Sequence, residues 1–405
     1  MAEEIVGSVD MDTGNDEIML AATNHDIEAL TALFKTHGAN FKDPDTGFSP
    51  LHAAIAACEP DDDVPVNGEG DALHGQALSE DSALATIKLL LENGAIWNEL
   101  DHNDETPGCL ALRLGLKSVY SAIVDAGVRA ELLFGRLDKF QLLADDESDD
   151  DDIVGFEPAP ASMATVRPPG ASNGPKPVLS NPNVNNEDYL KSELTYSGDR
   201  LLDSDKNAVM MDWETEIMKT SADQLCPKPG LRTMNVGHGM GIVDSMFLEN
   251  KPEMHHIIEA HPAVIKRLKD TGWYDKPNVT IHEGRWQDVL PKLIKQGVVL
   301  DGIYYDTYAE DYKDLKEFFQ EYVITLLDQK GRFGFYNGLG ADRQVCYDVY
   351  TKVVEIDLYD AGLDVEWTDI KVPDLKGRDE WNGVRYPYWG TIDTYRLPTC
   401  KFVGG

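Results

Sequence analysis

Long apolar runs and paired cysteines are both missing from this chain of 405 residues. No segment approaches the roughly 18 consecutive apolar residues that a membrane-spanning helix needs, so we expect no membrane protein. The first residues, Met-Ala-Glu-Glu-Ile, are acidic and lack an apolar core, so we expect no secretory signal. The five cysteines are scattered without a Cys-x-x-Cys pair. This spacing favours reduced thiols in the cytosol or nucleus and argues against a disulfide framework or a metal site for zinc.

Basic residues are scarce as well, with 36 Lys and Arg against 72 Asp and Glu, for a net charge of −36. Such a charge repels nucleic-acid phosphates and favours a basic partner. An equally open interpretation is that the acids serve solubility alone. No basic cluster forms a nuclear import signal, so we expect a cytoplasmic protein and leave nuclear entry open.

The N-terminal third carries a degenerate repeat. Ser49–Ala54 reads Ser-Pro-Leu-His-Ala-Ala, Thr106-Pro107 opens a similar segment, and the helices before Gly94 and Gly127 end 33 residues apart. This turn sequence and this period resemble ankyrin repeats. An acidic, Gly-rich insertion at Glu59–Ser79 breaks the period, and the second unit has Gly-Cys where Leu-His is usual. We therefore expect an all-α, ankyrin-like repeat domain over residues 1–143.

An acidic and then Pro-rich segment follows. Residues 145–152 read Asp-Asp-Glu-Ser-Asp-Asp-Asp-Asp, and residues 158–182 are rich in Pro, Ala, Ser, Gly and Asn. Such a composition cannot bury enough apolar surface to order itself. The sequence predicts a flexible linker at 144–185, and a third region at 186–405.

The third region alternates strands and helices, which is typical of a doubly wound, mostly parallel sheet. We predict helices at 241–249, 263–271 and 311–328. We predict strands at 231–236, 254–260, 278–282, 300–305, 332–336, 364–372 and 391–397. Their number suits an α/β fold with a seven-stranded, Rossmann-like methyltransferase sheet whose last strand is antiparallel.

A glycine-rich turn follows the first strand of that sheet. Gly237-His-Gly-Met-Gly241 stands between a strand and a helix, where glycines let the backbone turn tightly and approach a ligand. Glu259 ends the next strand, 18 residues after Gly241, where an acid can accept both ribose hydroxyls of a nucleotide cofactor. The turn alone is weak, because dehydrogenases carry similar glycines and a plain strand–helix turn is an alternative.

Aromatic and amide side chains follow the next strand in Glu283-Gly-Arg-Trp-Gln-Asp288. Trp286 is placed to cover the face of an adenine, and Gln287 or Asp288 to reach its amine. The alternative for Trp286 is packing in the core.

Two acids suit a guanidinium substrate. Asp306 ends the buried strand Leu300–Tyr305, at the edge of the sheet where ligands bind. Glu214 lies in Val209–Thr215, which we expect to form a helix that covers the cleft. A guanidinium stays protonated and is a poor nucleophile, so carboxylates must orient it and draw off a proton. We expect Glu214 and Asp306 to bracket it between aromatic walls from Trp213, Tyr305 and Tyr308. A solvated Glu214 and a merely packing Trp213 are the alternative.

Five segments, spread over about half of the chain, resemble the guanidinoacetate methyltransferase family and, more closely, its fungal relatives, the protein arginine N5-methyltransferases. They are Val209-Met-Met-Asp-Trp-Glu-Thr215, Val236-Gly-His-Gly-Met-Gly241, His256-Ile-Ile-Glu-Ala260, Gly284-Arg-Trp-Gln-Asp288 and Asp301-Gly-Ile-Tyr-Tyr-Asp-Thr-Tyr308. The ankyrin-like N-terminus distinguishes the protein-modifying relatives from the small-molecule enzymes. The sequence departs from the small-molecule enzymes at His238 and Ala260-His261.

The resemblance implies the cofactor S-adenosyl-L-methionine and the residues that hold it. The expected cofactor-binding residues are Tyr189, Met210, Met218, Gly237, Gly239, Met240, Gly241, Ile242, Val243, Asp244, Glu259, Ala260, His261, Trp286, Gln287 and Asp306. It implies Glu214 and Asp306 as catalytic residues, with Asp306 as the proton acceptor.

The activity implied is methyl transfer to the internal, δ nitrogen of an arginine in a basic, ribosomal protein. We expect a monomer, although the sequence leaves the oligomeric state open. One alternative is a guanidinoacetate-type methyltransferase that acts on a small molecule. The other is a non-catalytic ankyrin scaffold. A nicotinamide enzyme is less favoured, because the sequence offers no residue set for hydride chemistry.

Overall fold

The computed structural model describes residues 13–60, 78–144, 185–375, 379–390 and 392–404. The chain divides into two compact units, Met1–Pro177 and Val178–Gly405. The predicted acidic cluster at 145–152, nearly all of the predicted linker and most of the predicted insertion at 59–79 lie outside the described residues. In the part that is described, no helix combines the length and the apolar character that crossing a membrane requires.

The described part of the first unit is helical. It contains α1 (Thr13–Thr23), α2 (Ile27–Leu33), α3 (Pro50–Ala56), α4 (Glu80–Glu92), α5 (Pro107–Arg113) and α6 (Lys117–Ala144). Ser49 and Thr106 cap α3 and α5, and each is followed by a proline at the first helical position, where its missing N–H costs nothing. The helical architecture predicted for this region is confirmed, while its ankyrin-like character stays a prediction.

The described part of the second unit begins with a short helix, α7 (Asn186–Lys191). A small antiparallel sheet of β1 (Thr195–Ser197), β2 (Arg200–Leu202) and β3 (Ala208–Met211) follows it. A 3₁₀ turn over Asp212–Glu214 follows β3 directly. The helix expected at Val209–Thr215 is therefore wrong. Ala208–Met211 pairs with β2 instead, a partner strand that the sequence did not reveal.

The main sheet has seven strands, with bounds β4 (Arg232–Val236), β5 (Met254–Glu259), β6 (Val279–Glu283), β7 (Leu300–Tyr305), β8 (Leu327–Phe335), β9 (Leu363–Lys371) and β10 (Thr394–Phe402). Their order is β6-β5-β4-β7-β8-β10-β9. The pairs among β4 to β8 are parallel, whereas β10 runs antiparallel to both β8 and β9. The predicted seven-stranded sheet with an antiparallel last strand is confirmed.

Helices cover both faces of this sheet. They are α8 (Thr215–Leu225), α9 (Ile242–Glu249), α10 (Pro262–Asp270), α11 (Trp286–Lys295), α12 (Tyr312–Glu317), α13 (Ile324–Leu326) and α14 (Gln344–Asp360). The helix predicted at 311–328 is present over residues 312–326, but a π-helical stretch, Phe318–Val323, separates α12 from α13, and Leu327 already belongs to β8. The wider π turn keeps Phe318, Phe319 and Val323 buried. Neither α11, which contains Pro291, nor α14 was predicted from the sequence.

The core fills the space between sheet and helices on both sides. Ile303 of β7 belongs to one core cluster with Leu290 of α11 and Val354 of α14, whereas Tyr304 belongs to a second cluster with Phe247 of α9. The parallel strands β4, β5 and β7 end at the same edge of the sheet, so the residues after them converge there.

Candidate active site

The glycine turn after β4 is built on left-handed backbone. Gly237, Gly239 and Gly241 have φ of +94°, +54° and +81°, a region that side chains with a β-carbon rarely enter. The Gly237 amide donates to the carbonyl of Ile258 on β5 at 2.9 Å. The turn therefore lies across the ends of β4 and β5 and leads into α9, as the sequence predicted.

Glu259 joins the two loops at this edge. One carboxylate oxygen accepts from the His238 amide at 2.8 Å and the other from the His261 amide at 2.7 Å, and the residue is 6% exposed. The His261 ring lies 3.0 Å from the Tyr189 carbonyl through Nε2 and packs against the Tyr189 ring. Glu259 is thus oriented by backbone N–H groups, and His261 holds α7 above the strand end.

A first cavity opens at this edge of the sheet. Eight of the predicted cofactor residues line it, namely Tyr189, Met210, Gly237, Gly239, Glu259, Ala260, Trp286 and Asp306. The structure brings them together from α7, β3, the glycine turn and the loops after β5, β6 and β7.

A second cavity adjoins the first. Both are lined by Val209, Met210 and the loop residues Asp306, Thr307, Tyr308 and Glu310. The second adds two of the predicted substrate residues, Glu214 and Tyr305. The two cavities therefore meet at Asp306.

Asp306 is a half-buried acid with unused capacity to accept hydrogen bonds. Its amide donates to the Val236 carbonyl at 2.9 Å, which fixes its backbone beside β4. Its Oδ2 is buried and has no hydrogen-bond partner among the described residues. Burial, and then the like charges of Glu214 and Asp244, hold the pKa of Asp306 well above its ordinary value. An orphaned acceptor of this kind calls for a donor from a ligand.

Glu214 is the second acid. It is 4% exposed, and its carboxylate accepts from the Met211 amide at 3.0 Å and from the Tyr388 hydroxyl at 2.8 Å. Burial raises its pKa. The Trp213 ring stacks on Tyr388 with 5.9 Å between centroids. Trp213 thus contacts Tyr388 directly, and its predicted contact with a guanidinium stays a prediction.

The predicted aromatic walls are tied to neighbouring carboxylates. The hydroxyl of Tyr305 and Nε1 of Trp286 both donate to Glu310, the latter at 3.0 Å. The Tyr308 hydroxyl lies 3.4 Å from Asp203, and its ring meets Tyr189 edge-on. Trp286 is 2% exposed and lies in the core cluster while lining the first cavity, so both interpretations of this residue describe its position.

Three residues that line the second cavity were not predicted from the sequence, namely Glu310, Tyr336 and Tyr388. Glu310 follows Asp306 by four positions in the same loop, and that proximity was a usable signal. Tyr388 comes from the distant segment 379–390, and no local pattern distinguishes it.

Other predicted cofactor residues lie behind the cavity walls. Met218 and Val243 belong to the core cluster between α8 and α9, and Asp244 is fully buried under the glycine turn. Cofactor contacts of these residues stay predictions, as do those of Met240, Gly241, Ile242, His261 and Gln287.

The hydrogen-bond acceptors of the first cavity fit an adenosyl-amino acid cofactor. Among the residues that line the first cavity, Asp306 and Asn186 each have a buried side-chain oxygen, Oδ2 and Oδ1 respectively, without a hydrogen-bond partner in the described part of the chain. S-adenosylmethionine carries N–H and O–H donors on its adenine, its ribose and its amino group, together with a sulfonium cation. Side chains with unsatisfied acceptors, a glycine turn and an oriented Glu259 match these groups.

Comparison with known proteins gives the family. The family model for guanidinoacetate N-methyltransferase matches residues 186–357. "Protein arginine N-methyltransferase 2" from Emericella nidulans is 52% identical, with 98% of this chain and 99% of the relative covered. The proteins of the same name from Aspergillus fumigatus and Neurospora crassa are 54% and 44% identical, over 96% of this chain and 96% and 95% of theirs.

Solved structures are more distant. An O-methyltransferase from Streptomyces achromogenes in complex with SAM is 17% identical over 48% of this chain and 82% of that one, with a TM-score of 0.34. The near full-length relatives decide the assignment, and the chain belongs to the protein arginine N-methyltransferase 2 family.

Proposed function

We propose that the chain transfers a methyl group from S-adenosylmethionine to the internal, δ nitrogen of an arginine side chain in a basic protein, with ribosomal proteins as the substrate class. The observation that carries this proposal is the buried, unpartnered Oδ2 of Asp306, where two cavities meet. One cavity holds the glycine turn and Glu259, and the other holds Glu214 and a set of tyrosines.

The acids of the site perform the steps that an arginine substrate requires. A guanidinium stays protonated and delocalised, so it must be oriented and must lose a proton as it is alkylated. Asp306 Oδ2 accepts a guanidinium N–H and then the proton that is released when the new N–C bond forms. Glu214 retains lone pairs beyond those used by Met211 and Tyr388 and accepts a second N–H, which fixes the plane of the guanidinium.

S-adenosylmethionine, when bound, supplies an electrophilic methyl group on a sulfonium centre. Glu259 binds the ribose of this cofactor with lone pairs that its two backbone donors leave free. The burial of Glu259 excludes water and strengthens its charge interactions. S-adenosylhomocysteine is the second product.

The substrate is selected outside the cleft. A net charge of −36 attracts basic proteins, and the first unit, which we interpret as an ankyrin-like module, provides the docking surface. Reaction at the internal nitrogen requires the arginine to enter more deeply or more sideways than reaction at a terminal nitrogen. Action as a monomer, and location in the cytoplasm with access to the nucleus, belong to the same proposal.

The test is incubation of the full-length chain with methyl-labelled S-adenosylmethionine and cell extract, followed by acid hydrolysis and amino-acid analysis of labelled bands. We expect δ-N-methylarginine in a basic protein, and none with Asp306→Asn. Label at a terminal guanidino nitrogen would refute the regiochemistry. The family model favours guanidinoacetate as a second candidate substrate, so a parallel reaction contains it alone. Label found only there would identify a metabolic enzyme, whereas cofactor binding without transfer to any acceptor would identify a scaffold.

A further inference from the structure

A chain of buried polar side chains lies beneath the glycine turn. His238 Nδ1 is 2.6 Å from Asp244 Oδ2, Asp244 Oδ1 is 2.7 Å from His255 Nε2, and His255 Nδ1 is 2.7 Å from Thr233 Oγ1. The Asn235 amide nitrogen donates to Asp244 Oδ2 at 3.1 Å. None of these residues is more than 2% exposed, so the cluster is sealed from solvent.

The hydrogen bonds fix the charge of this cluster. Asp244 accepts from His238, His255 and Asn235, while Thr233 donates to the remaining nitrogen of His255. Burial opposes that charge, but the hydrogen bonds from His238 and His255 lower the pKa of Asp244 to about 2. One negative charge is thus held in the first turn of α9, where the helix dipole favours it.

Two paths lead from Asp244 to the first cavity. Along one, the backbone amide of His238 donates to Glu259. Along the other, the Asn235 side chain also donates to the Gly237 carbonyl at 2.7 Å, and Gly237 lies directly against the backbone of Asp306. The acid beneath the turn therefore contacts the residues that place both acids of the cavity.

We propose that Asp244 is a positioning residue, which holds the glycine turn so that Glu259 and Asp306 face the cofactor in a fixed arrangement. This inference rests on the proposed function, because it assigns a purpose to the same cavity. The family resemblance implied that Asp244 contacts the cofactor directly. Under the present proposal, Asp244 acts on the cavity through His238 and Asn235 instead.

The charge of Asp244 has a second consequence. Burial contributes most to the raised pKa of Asp306, followed by Glu214 and then Asp244. Besides Asp244, the titratable groups that interact with Asp306 are Glu214 from the 3₁₀ turn, Tyr304 from β7, Tyr388 from the segment 379–390 and Tyr395 from β10. Those that face Asp244 are His238 and His255. A neutral residue at position 244 removes one of the two negative charges that oppose ionisation of Asp306, so the acid limb of kcat/KM moves to lower pH.

The test compares full-length Asp244→Asn with Asp301→Asn. Asp301 is a matched control, because it is bound by Arg232 Nε at 2.8 Å near the opposite end of the same sheet. We expect Asp244→Asn to weaken S-adenosylhomocysteine binding, measured by calorimetry, by roughly ten-fold or more. We also expect its acid limb of kcat/KM to move to lower pH, while Asp301→Asn changes neither quantity. Wild-type affinity and an unmoved acid limb in Asp244→Asn would overturn the inference.

A second pair of variants covers the case in which Asp244→Asn does not fold. His238→Asn keeps an N–H donor near Asp244, whereas His238→Ala removes it. We expect the alanine variant to bind S-adenosylhomocysteine several-fold more weakly than the asparagine variant, and equal affinities would refute positioning through His238. A wild-type chain that binds S-adenosylhomocysteine but methylates nothing would refute the proposed function, and the affinity comparison would still decide the role of Asp244.

Discussion

The carbonyl oxygen of Asp306 lies 1.9 Å from the point where a β-carbon on Gly237 would stand. Gly237 also has φ of +94°, so conformation and space both restrict this position to glycine. The close approach brings the end of β4 against the loop after β7. This contact is what allows the glycine turn and the acid to line one cavity.

Gly237→Ala should abolish cofactor binding and lower the free energy of unfolding by several kcal/mol. The added methyl group meets backbone rather than a flexible side chain, so the ends of β4 and β7 must separate. Gly230→Ala is the control, because Gly230 has φ of +82° but has nothing within 4 Å of its β-carbon position. Gly230→Ala should lower the free energy of unfolding only by the strain of a left-handed alanine, about 1–2 kcal/mol. Urea unfolding and titration with S-adenosylhomocysteine measure both effects, and equal losses in the two variants would contradict the steric argument.

The sheet and one side of the site were predictable because parallel strands impose a common edge. Gly237 and Glu259 follow neighbouring strands, so their spacing in sequence was enough to place them together. Asp306 was identifiable because a run of buried residues ends at that acid. These inferences required only strand periodicity and the rule that ligands bind at the carboxyl ends of parallel strands.

The other side of the site depends on long-range packing. Tyr388 reaches Glu214 across 174 positions, and the pattern around neither residue indicates the other. The strand β3 was mistaken for a helix because its partner β2 is only three residues long and has no clear alternation. The hydrogen bonds of Asp244 to His238 and His255 were not predictable either, because a histidine beside a glycine or within a strand can be exposed, packed in the core or bound to a ligand.

Asp306→Asn should reduce methyl transfer by about 100-fold or more, yet make the protein more stable near pH 7. The folded pKa of Asp306 is raised, so the unfolded chain releases this proton first as the pH rises. Stability is therefore lost between the ordinary Asp pKa of about 3.9 and the folded pKa, and the loss persists at pH 7. An uncharged asparagine at position 306 removes this loss of stability.

Thermal unfolding at pH 4 and pH 7 measures this effect, with the gain from Asp306→Asn expected at pH 7 and small at pH 4. Glu214→Gln is the comparison, because that carboxylate accepts two hydrogen bonds and its replacement should stabilise less. A variant at position 306 that is less stable than wild type at pH 7 would show that the Asp306 carboxylate is paired in solution.

Tyr388→Phe should lower kcat roughly ten-fold, since hydrogen bonds to charged groups contribute about 1.5–3 kcal/mol. The Tyr388 hydroxyl donates to Glu214 at 2.8 Å inside the second cavity. Without it the carboxylate is less firmly oriented toward the substrate. S-adenosylhomocysteine affinity should hardly change, because Tyr388 does not line the first cavity.

Tyr274→Phe is the matched control for this change. Its hydroxyl also donates to a carboxylate, that of Glu283, at 2.7 Å, but on the exposed surface. Steady-state kinetics with the methyl acceptor should separate the two variants. If Tyr388→Phe weakened only the affinity for the cofactor, Tyr388 would act on the first cavity, and its role in orienting Glu214 toward the substrate would be refuted.

The first unit should lose stability as the pH falls through the range near 6.5, the ordinary pKa of histidine. His52 is fully buried in α3, with Nδ1 2.9 Å from Ser49 Oγ and Nε2 3.1 Å from the Glu105 carbonyl. Burial lowers its pKa, so the unfolded chain takes up a proton at a higher pH than the folded unit does. The stability is present above pH 6.5 and declines below it.

Hydrogen exchange of α3 and α5 between pH 7 and pH 5, corrected for intrinsic rates, measures this decline. His52→Gln keeps a donor near Glu105 and lacks the titrating ring, so protection should be lower overall but should change less with pH. His102→Gln, an exposed histidine in the same unit, controls for loss of an imidazole. If the wild type and His52→Gln lose protection in parallel as the pH falls, another group carries the pH dependence and the buried His52 is not its source.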